Sequence, residues 1–339
     1  MSKKPNLFNY ATSELSQDAF LAWLIQWADK DNKKNDSYLN ACAVSFVQEL
    51  LGKESNLSIE TVKAGRQWNN IDVWALINNK YFLVIEDKKS TKEHSNQLIR
   101  YADLSKEHYK NTNIEIVLVY FKMQEQSSFK FIENSGFEVY NRNKMLNILD
   151  NYYNNTPILN QNNILLDYYE NLKELNYQIN SYNSLPLNKW DNYSWQGFYS
   201  KLQNYINGHW NYVSNKGGGF LGFWWYHKRI KREDLDIEFY LQLEQEKLTF
   251  KLISFSEKQR RFSRDYYRNF LFKKANELNI RISRFGRLGK HMGVAKLNYE
   301  YRLTDENGLL DLGATVDNLI GLMKLIDETE KEITAHNNV

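Results

Sequence analysis

Apolar residues recur along this chain in two rhythms, and the change of rhythm marks its elements. Leu15, Ala19, Phe20, Trp23, Leu24 and Trp27 fall three and four apart, which predicts a first helix with one core-facing stripe. A second helix is predicted over residues 39–51, stopped by Gly52. Between them, residues 29–36 set Lys30, Lys33 and Lys34 among Asp and Asn and read as a polar loop. The rhythm then tightens. Apolar strands over 72–77 and 81–85 flank Asn78, Asn79 and Lys80, the composition of a hairpin turn. A helix from Gln97, a β-branched strand over 114–121, a short strand over 136–140 and helices over 143–153 and 164–179 follow. Strands alternating with helices predict an α/β unit, a mixed sheet flanked by helices.

At 339 residues the chain exceeds one comfortable core. Residues 181–189, rich in Asn, Ser and Leu around Pro186, are expected to link a first domain, 1–180, to a C-terminal α+β domain, 190–335. That second part opens with an aromatic helix over 190–210. It continues through Gly217 to Gly219, an aromatic run over 220–226, and a hairpin of strands 235–244 and 247–255 joined at Gln245 and Glu246. No Gly-Lys-Ser/Thr follows the glycines, so they read as a flexible lead into a strand rather than a phosphate loop. The aromatic run reads as core before it reads as a base-stacking surface.

The single cysteine, Cys42, sits among apolar neighbours and excludes both a disulfide framework and a Cys-based zinc site. His94, His209, His227 and His291 are too scattered for a metal set. With no apolar run of membrane-spanning length and a polar start, the expected location is the cytoplasm.

Three strings in the first third carry chemistry: Ile71-Asp72-Val73-Trp74, Leu83-Val84-Ile85-Glu86-Asp87-Lys88 and Gln97-Leu98-Ile99-Arg100-Tyr101. Successive strand residues point to opposite faces, so Glu86 and Lys88 share a face while Asp87 and Lys89 look elsewhere. The predicted hairpin brings Asp72 back beside Glu86. Two carboxylates suit a hard divalent cation such as Mg²⁺ or Mn²⁺, which takes oxygen ligands and keeps several waters. An ammonium at the same place can orient a water and offset charge on a phosphate.

The segment resembles the PD-(D/E)xK nuclease superfamily, with Asp72, Glu86 and Lys88 as its signature and Ile71 in place of the usual Pro. Gln97 and Tyr101 are similar to the Gln-xxx-Tyr motif of its RecB-like and lambda-exonuclease-like members. Glu14, before Leu15 and the Ala22-Trp23-Leu24 run, resembles the opening helix of a bacterial branch, in which such a Glu adds a metal carboxylate. The resemblance covers roughly residues 1 to 180. It implies a restriction-endonuclease-like fold and a Mg²⁺-dependent DNase with Glu14, Asp72 and Glu86 on the metal. Lys88 would position the water, and Gln97 and Tyr101 would support the scissile phosphate. It also implies, by analogy, a role in prokaryotic defence against foreign DNA or in restriction; oligomeric state stays open, with a homodimer, favoured by one site per chain for two strands, or a partner defence protein as the expected associations. Two other readings stay open: a silent nuclease-like scaffold or DNA-binding subunit, and an RNA-directed or structure-specific nuclease.

The net charge of +3 hides its distribution. Residues 256–296 hold twelve Lys and Arg against three acids, a local +9 that leaves −6 for the rest. Arg260, Arg264 and Arg268, four apart, stripe one face of a predicted helix, and Phe262, Tyr266 and Phe270 stripe another. Arg284, Arg287 and Lys290 follow, beside His291, on a strand and Gly-containing loop. These six cations are the expected nucleic-acid contacts.

Overall fold

A computed structural model describes residues 4–52, 56–89, 96–215 and 218–336. His94 and Gly217 lie outside them. The chain divides into two compact units, Met1–Tyr177 and Gln178–Val339.

In the first unit α1 (Glu14–Gln26) and α2 (Ser37–Leu50) precede the strands β1 (Val62–Trp68), β2 (Ile71–Ile77) and β3 (Tyr81–Lys88). Then come α3 (Gln97–Tyr109), β4 (Glu115–Lys122), α4 (Lys130–Asn134), β5 (Glu138–Asn141), α5 (Arg142–Asn155) and α6 (Asn163–Asn180). The five strands form one sheet in chain order, with β1 to β3 antiparallel and β3 to β5 parallel. The three-residue turn between paired Ile77 and Tyr81 has Asn78 at φ 54° and Asn79 at φ 49°, left-handed values that Asn tolerates. Residues 30–34 of the expected loop wind into a short 3-10 turn. β1 has no counterpart among the elements expected from sequence.

Both faces of this sheet are covered. Val73, Ala75, Leu83 and Ile85 join Leu24, Phe46 and Leu149 on one side, while Phe82 and Val84 join Leu98, Tyr101 and Ile132 on the other. β3 is buried along its whole length, as a central strand should be. Its polar end, residues 86–88, is therefore held inside the fold.

The second unit holds α7 (Asn192–Leu202), β6 (Gly208–Val213), β7 (Phe220–Lys231), β8 (Asp236–Glu244), β9 (Lys247–Ser254), α8 (Arg260–Glu277), β10 (Ile282–Arg284), β11 (His291–Leu297), the two-residue strands β12 (Leu303–Thr304) and β13 (Leu310–Asp311), and α9 (Leu312–Ala335). Six strands make an antiparallel sheet ordered β10-β11-β9-β8-β7-β6. Two expectations are corrected. The aromatic helix ends at Leu202, and Trp210 belongs to β6. The expected linker is folded: Ser181 is buried and Tyr182 packs in the core of this unit with Trp195 and Phe198. Within the aromatic run, Leu221, Phe223 and Trp225 are core.

Candidate active site

α1 starts where Ser13 caps it, its side chain accepting the Ser16 N–H, and Glu14 is the acid of the first turn. Val73 lies opposite Ile85, so the next step outward along the ladder sets Asp72 beside Glu86 at the carboxyl end of β3. The Asp87 N–H donates to Asp72 Oδ2 at 3.0 Å. Lys88 closes the group. Its Nζ lies 3.6 Å from Asp72 Oδ2 and forms an ion pair with Glu86.

Glu86 is 0 % exposed, and neither carboxylate oxygen has a well-directed hydrogen bond among the described residues. Burial, and then the Asp72 charge, push its pKa up to about 8 against the pull of the Lys88 ammonium. Burial works against the Lys88 charge, but the Glu86 carboxylate beside it lifts the ammonium above its ordinary pKa. Lys88 is thus the ammonium that faces both carboxylates.

Asp87 points the other way, toward α1, where Gln17 Nε2 donates to its Oδ1 at 2.6 Å. Burial and the neighbouring Asp18 carboxyl raise Asp87 well above the usual range. Asp18, 2 % exposed, is itself pushed up to about 6 by burial and then by Asp72. Gln17 and Asp18 were not found from sequence. Their signal is an acid four residues after Glu14 in a helix whose Leu21, Leu24 and Ile25 are wholly buried. Lys122, 2 % exposed and the register partner of Lys88 on β4, was missed as well.

Glu14 reaches the end of β3 from α1, and its charge helps to raise the Lys88 pKa. Glu14 Oε1 accepts the Lys89 main-chain N–H at 3.0 Å, while Lys89 Nζ donates to Thr12 O at 3.0 Å. Among the described residues no group of three or more His, Cys, Asp and Glu side chains is arranged to hold a metal ion. Of the expected trio Glu14, Asp72 and Glu86, the last two stand together on Lys88, and Glu14 stands at the start of α1 with one oxygen on the Lys89 amide and its charge felt by Lys88. The carboxylates still fit a hard cation, since Glu86 Oε2 is buried with no hydrogen bond among the described residues and Asp72 lies beside it.

Gln97 and Tyr101 sit on the first turns of α3. Gln97 Nε2 donates to Tyr101 Oη at 2.8 Å, and Tyr101 Oη donates to the Asn70 carbonyl, two residues before Asp72. Burial raises the Tyr101 pKa, and the Glu86 and Asp72 charges add to the effect. The two side chains thus fasten α3 to the turn that presents Asp72.

A family model for the PD-(D/E)XK nuclease superfamily matches residues 5–196, more than half of the 339. The chain belongs to that superfamily. Comparison with curated proteins and with solved structures returns no match. The five-stranded mixed sheet with its flanking helices is the restriction-endonuclease-like arrangement of the PD-(D/E)XK nucleases, followed here by a C-terminal α+β unit. No described helix is long and apolar enough to cross a membrane.

The basic residues of the second unit do not form a freely solvated stripe. Arg260, Arg264 and Arg268 have side chains only 26 %, 18 % and 12 % exposed. Arg260 pairs with Glu257 at 2.7 Å, while Arg284 ends β10, and Arg287 and Lys290 lie in the loop before β11. Tyr266 and Phe270 pack on the core, but Phe262 is 53 % exposed. His209, His227 and His291 lie on β6, β7 and β11 and form no metal group among the described residues.

Proposed function

We propose that this PD-(D/E)XK nuclease is a Mg²⁺- or Mn²⁺-dependent deoxyribonuclease of prokaryotic defence or restriction. One observation carries the reading: Lys88 lies between Asp72 and a wholly buried Glu86 at the end of a central strand. Asp72 and Glu86, with Glu14 as a third carboxylate, would hold the divalent ion. When bound, the ion polarises the non-bridging phosphate oxygens and makes a water nucleophilic near neutral pH. Lys88 orients that water and offsets charge on the phosphate in the transition state. Gln97 and Tyr101 hold the Asn70 turn, and through it Asp72, in place. Glu14 and Gln17 fix the two sides of the β3 end, one through the Lys89 amide and the other through Asp87.

The +9 block of residues 256–296 supports a polyanionic substrate. The defence role rests on analogy with the superfamily. One site per chain favours a homodimer for cutting both strands of a duplex.

The test is incubation of the pure protein with linear, circular and single-stranded DNA and with RNA, in Mg²⁺, Mn²⁺ or EDTA. DNA cleavage that needs the metal is expected. Cleavage in EDTA, or cleavage of RNA alone, contradicts the proposal.

A further inference from the structure

The arginines of α8 present an imbalance that the fold itself does not resolve. Ser263, Tyr267, Leu271 and Ala275 form the buried stripe of α8, so Arg264 and Arg268, each one position further on, flank the core. Guanidinium groups drawn this far from water normally come with matching carboxylates. Here Asp265, itself half exposed, serves both, at 3.5 Å from Arg264 Nε and 3.3 Å from Arg268 Nη1. Arg268 Nε donates to the Val294 carbonyl at 3.3 Å, and Arg264 Nε, though buried, has no hydrogen bond among the described residues.

A third cation completes the group. Arg284 pairs in register with Ala295, next to Val294, and lies close enough to repel the charge on Arg268. Burial and then the Arg264 charge lower the Arg268 pKa, and Asp265 offsets this only in part. The chain leaving Arg284 is pressed onto β11. Gly286 has φ +83°, and a Cβ there would stand 2.6 Å from Gly293 Cα, so backbone meets backbone. Arg264 and Arg268 are thus held by packing beside the exposed Arg284, and among the described residues Asp265 is the carboxylate that pairs with the first two.

We propose that Arg264, Arg268 and Arg284 form a seat for a single phosphate group of the polynucleotide, distinct from Arg287 and Lys290 of the following loop, a proposal that rests on the nuclease reading. A phosphodiester brings the missing negative charge and oxygens that match the guanidinium fork. Such a group offsets the mutual repulsion of the guanidinium charges. Arg268 is tied to Val294 and also has a structural task, so Arg264 and Arg284 are the informative positions.

Binding of a labelled DNA duplex to the full chain, followed by fluorescence anisotropy in EDTA at several salt concentrations, tests the seat without cleavage. Arg264→Gln and Arg284→Gln should each weaken binding about tenfold and lower the slope of log affinity against log salt by about one. Arg264→Lys, which keeps the charge and loses the fork, should fall between. Melting temperatures should hold or rise, because each Gln relieves repulsion. Unchanged affinity and slope in both Gln variants overturn the seat. Saturable binding of inorganic phosphate that Arg264→Gln removes, with duplex binding intact, would assign the seat to a small phosphate and overturn the polynucleotide. Cleavage assayed in parallel with Mg²⁺ separates the seat from the catalytic site, since an inactive chain that still loses duplex affinity through these variants rejects only the catalytic reading.

Discussion

Glu86 is a carboxyl with no exposure and one ammonium for company, and its acidity sets how the protein answers to pH. Its pKa rises from 4.5 in the unfolded chain to about 8, so folding takes up a proton between those values. This contribution to stability is fully present below pH 4.5 and is lost as the pH climbs through about 8. Asp18, raised to about 6, acts the same way over a lower window. Melting temperature in EDTA should therefore fall from pH 5 to 8, and Mg²⁺ should restore more of it at pH 8 than at pH 6, because the ion displaces the Glu86 proton. A Mg²⁺ effect that is equal at both values contradicts this. Glu86→Gln imitates the protonated side chain, so near pH 6 it should shift melting by no more than about 2 °C, well below the effect of a 1 kcal/mol change, while removing cleavage.

Strand alternation made the juxtaposition of Glu86 and Lys88 legible, because a period of two depends on nothing beyond the strand. Gln17 and Asp18 were not legible for the opposite reason. Whether a polar side chain in a helix meets the far side of a strand depends on packing across 70 residues of chain.

At the level of elements, the β2–β3 hairpin positions Asp72 against Glu86, and its two asparagines do different work. The Asn78 side chain accepts the Glu60 and Thr61 N–H groups and donates to Ser58 O, whereas Asn79 supplies only a left-handed backbone. Asn78→Gly should cost about 1–3 kcal/mol in urea unfolding through the lost hydrogen bonds, and Asn79→Gly should be neutral or slightly stabilising. Equal effects would contradict this division. The hairpin was readable because Asn-Asn between apolar runs has a local cause. β1 was not, since its largely polar, half-buried Val62–Trp68 lacks a clean alternation and includes Gly65. That glycine is needed because the Trp74 ring would lie 2.6 Å from a Cβ there, a long-range fact of pairing. The aromatic spacing over 190–210 likewise concealed the change from α7 to β6.

For the whole molecule, charge is the decisive property: +9 in residues 256–296 against −6 elsewhere. Duplex binding in EDTA should weaken steeply between 50 and 200 mM salt, about a thousandfold if six phosphates are neutralised. Affinity that is flat in salt would remove the basic block from recognition. The broad architecture could be read because alternating strand and helix patterns limit the possible layers. The folded character of residues 181–189 could not, since Tyr182 becomes core only through Trp195 and Phe198.

The central claim is that Asp72, Glu86 and Lys88 act as one metal-dependent hydrolytic site. It is tested most directly by single-turnover cleavage of DNA by the full chain and by its Asp72→Asn, Glu86→Gln and Lys88→Met variants in saturating Mg²⁺, with duplex affinity in EDTA measured alongside. Each variant should lose cleavage by about a hundredfold or more, as losing a preorganised charged group does, while binding DNA within about twofold of the parent. Cleavage retained by any of the three would contradict the claim.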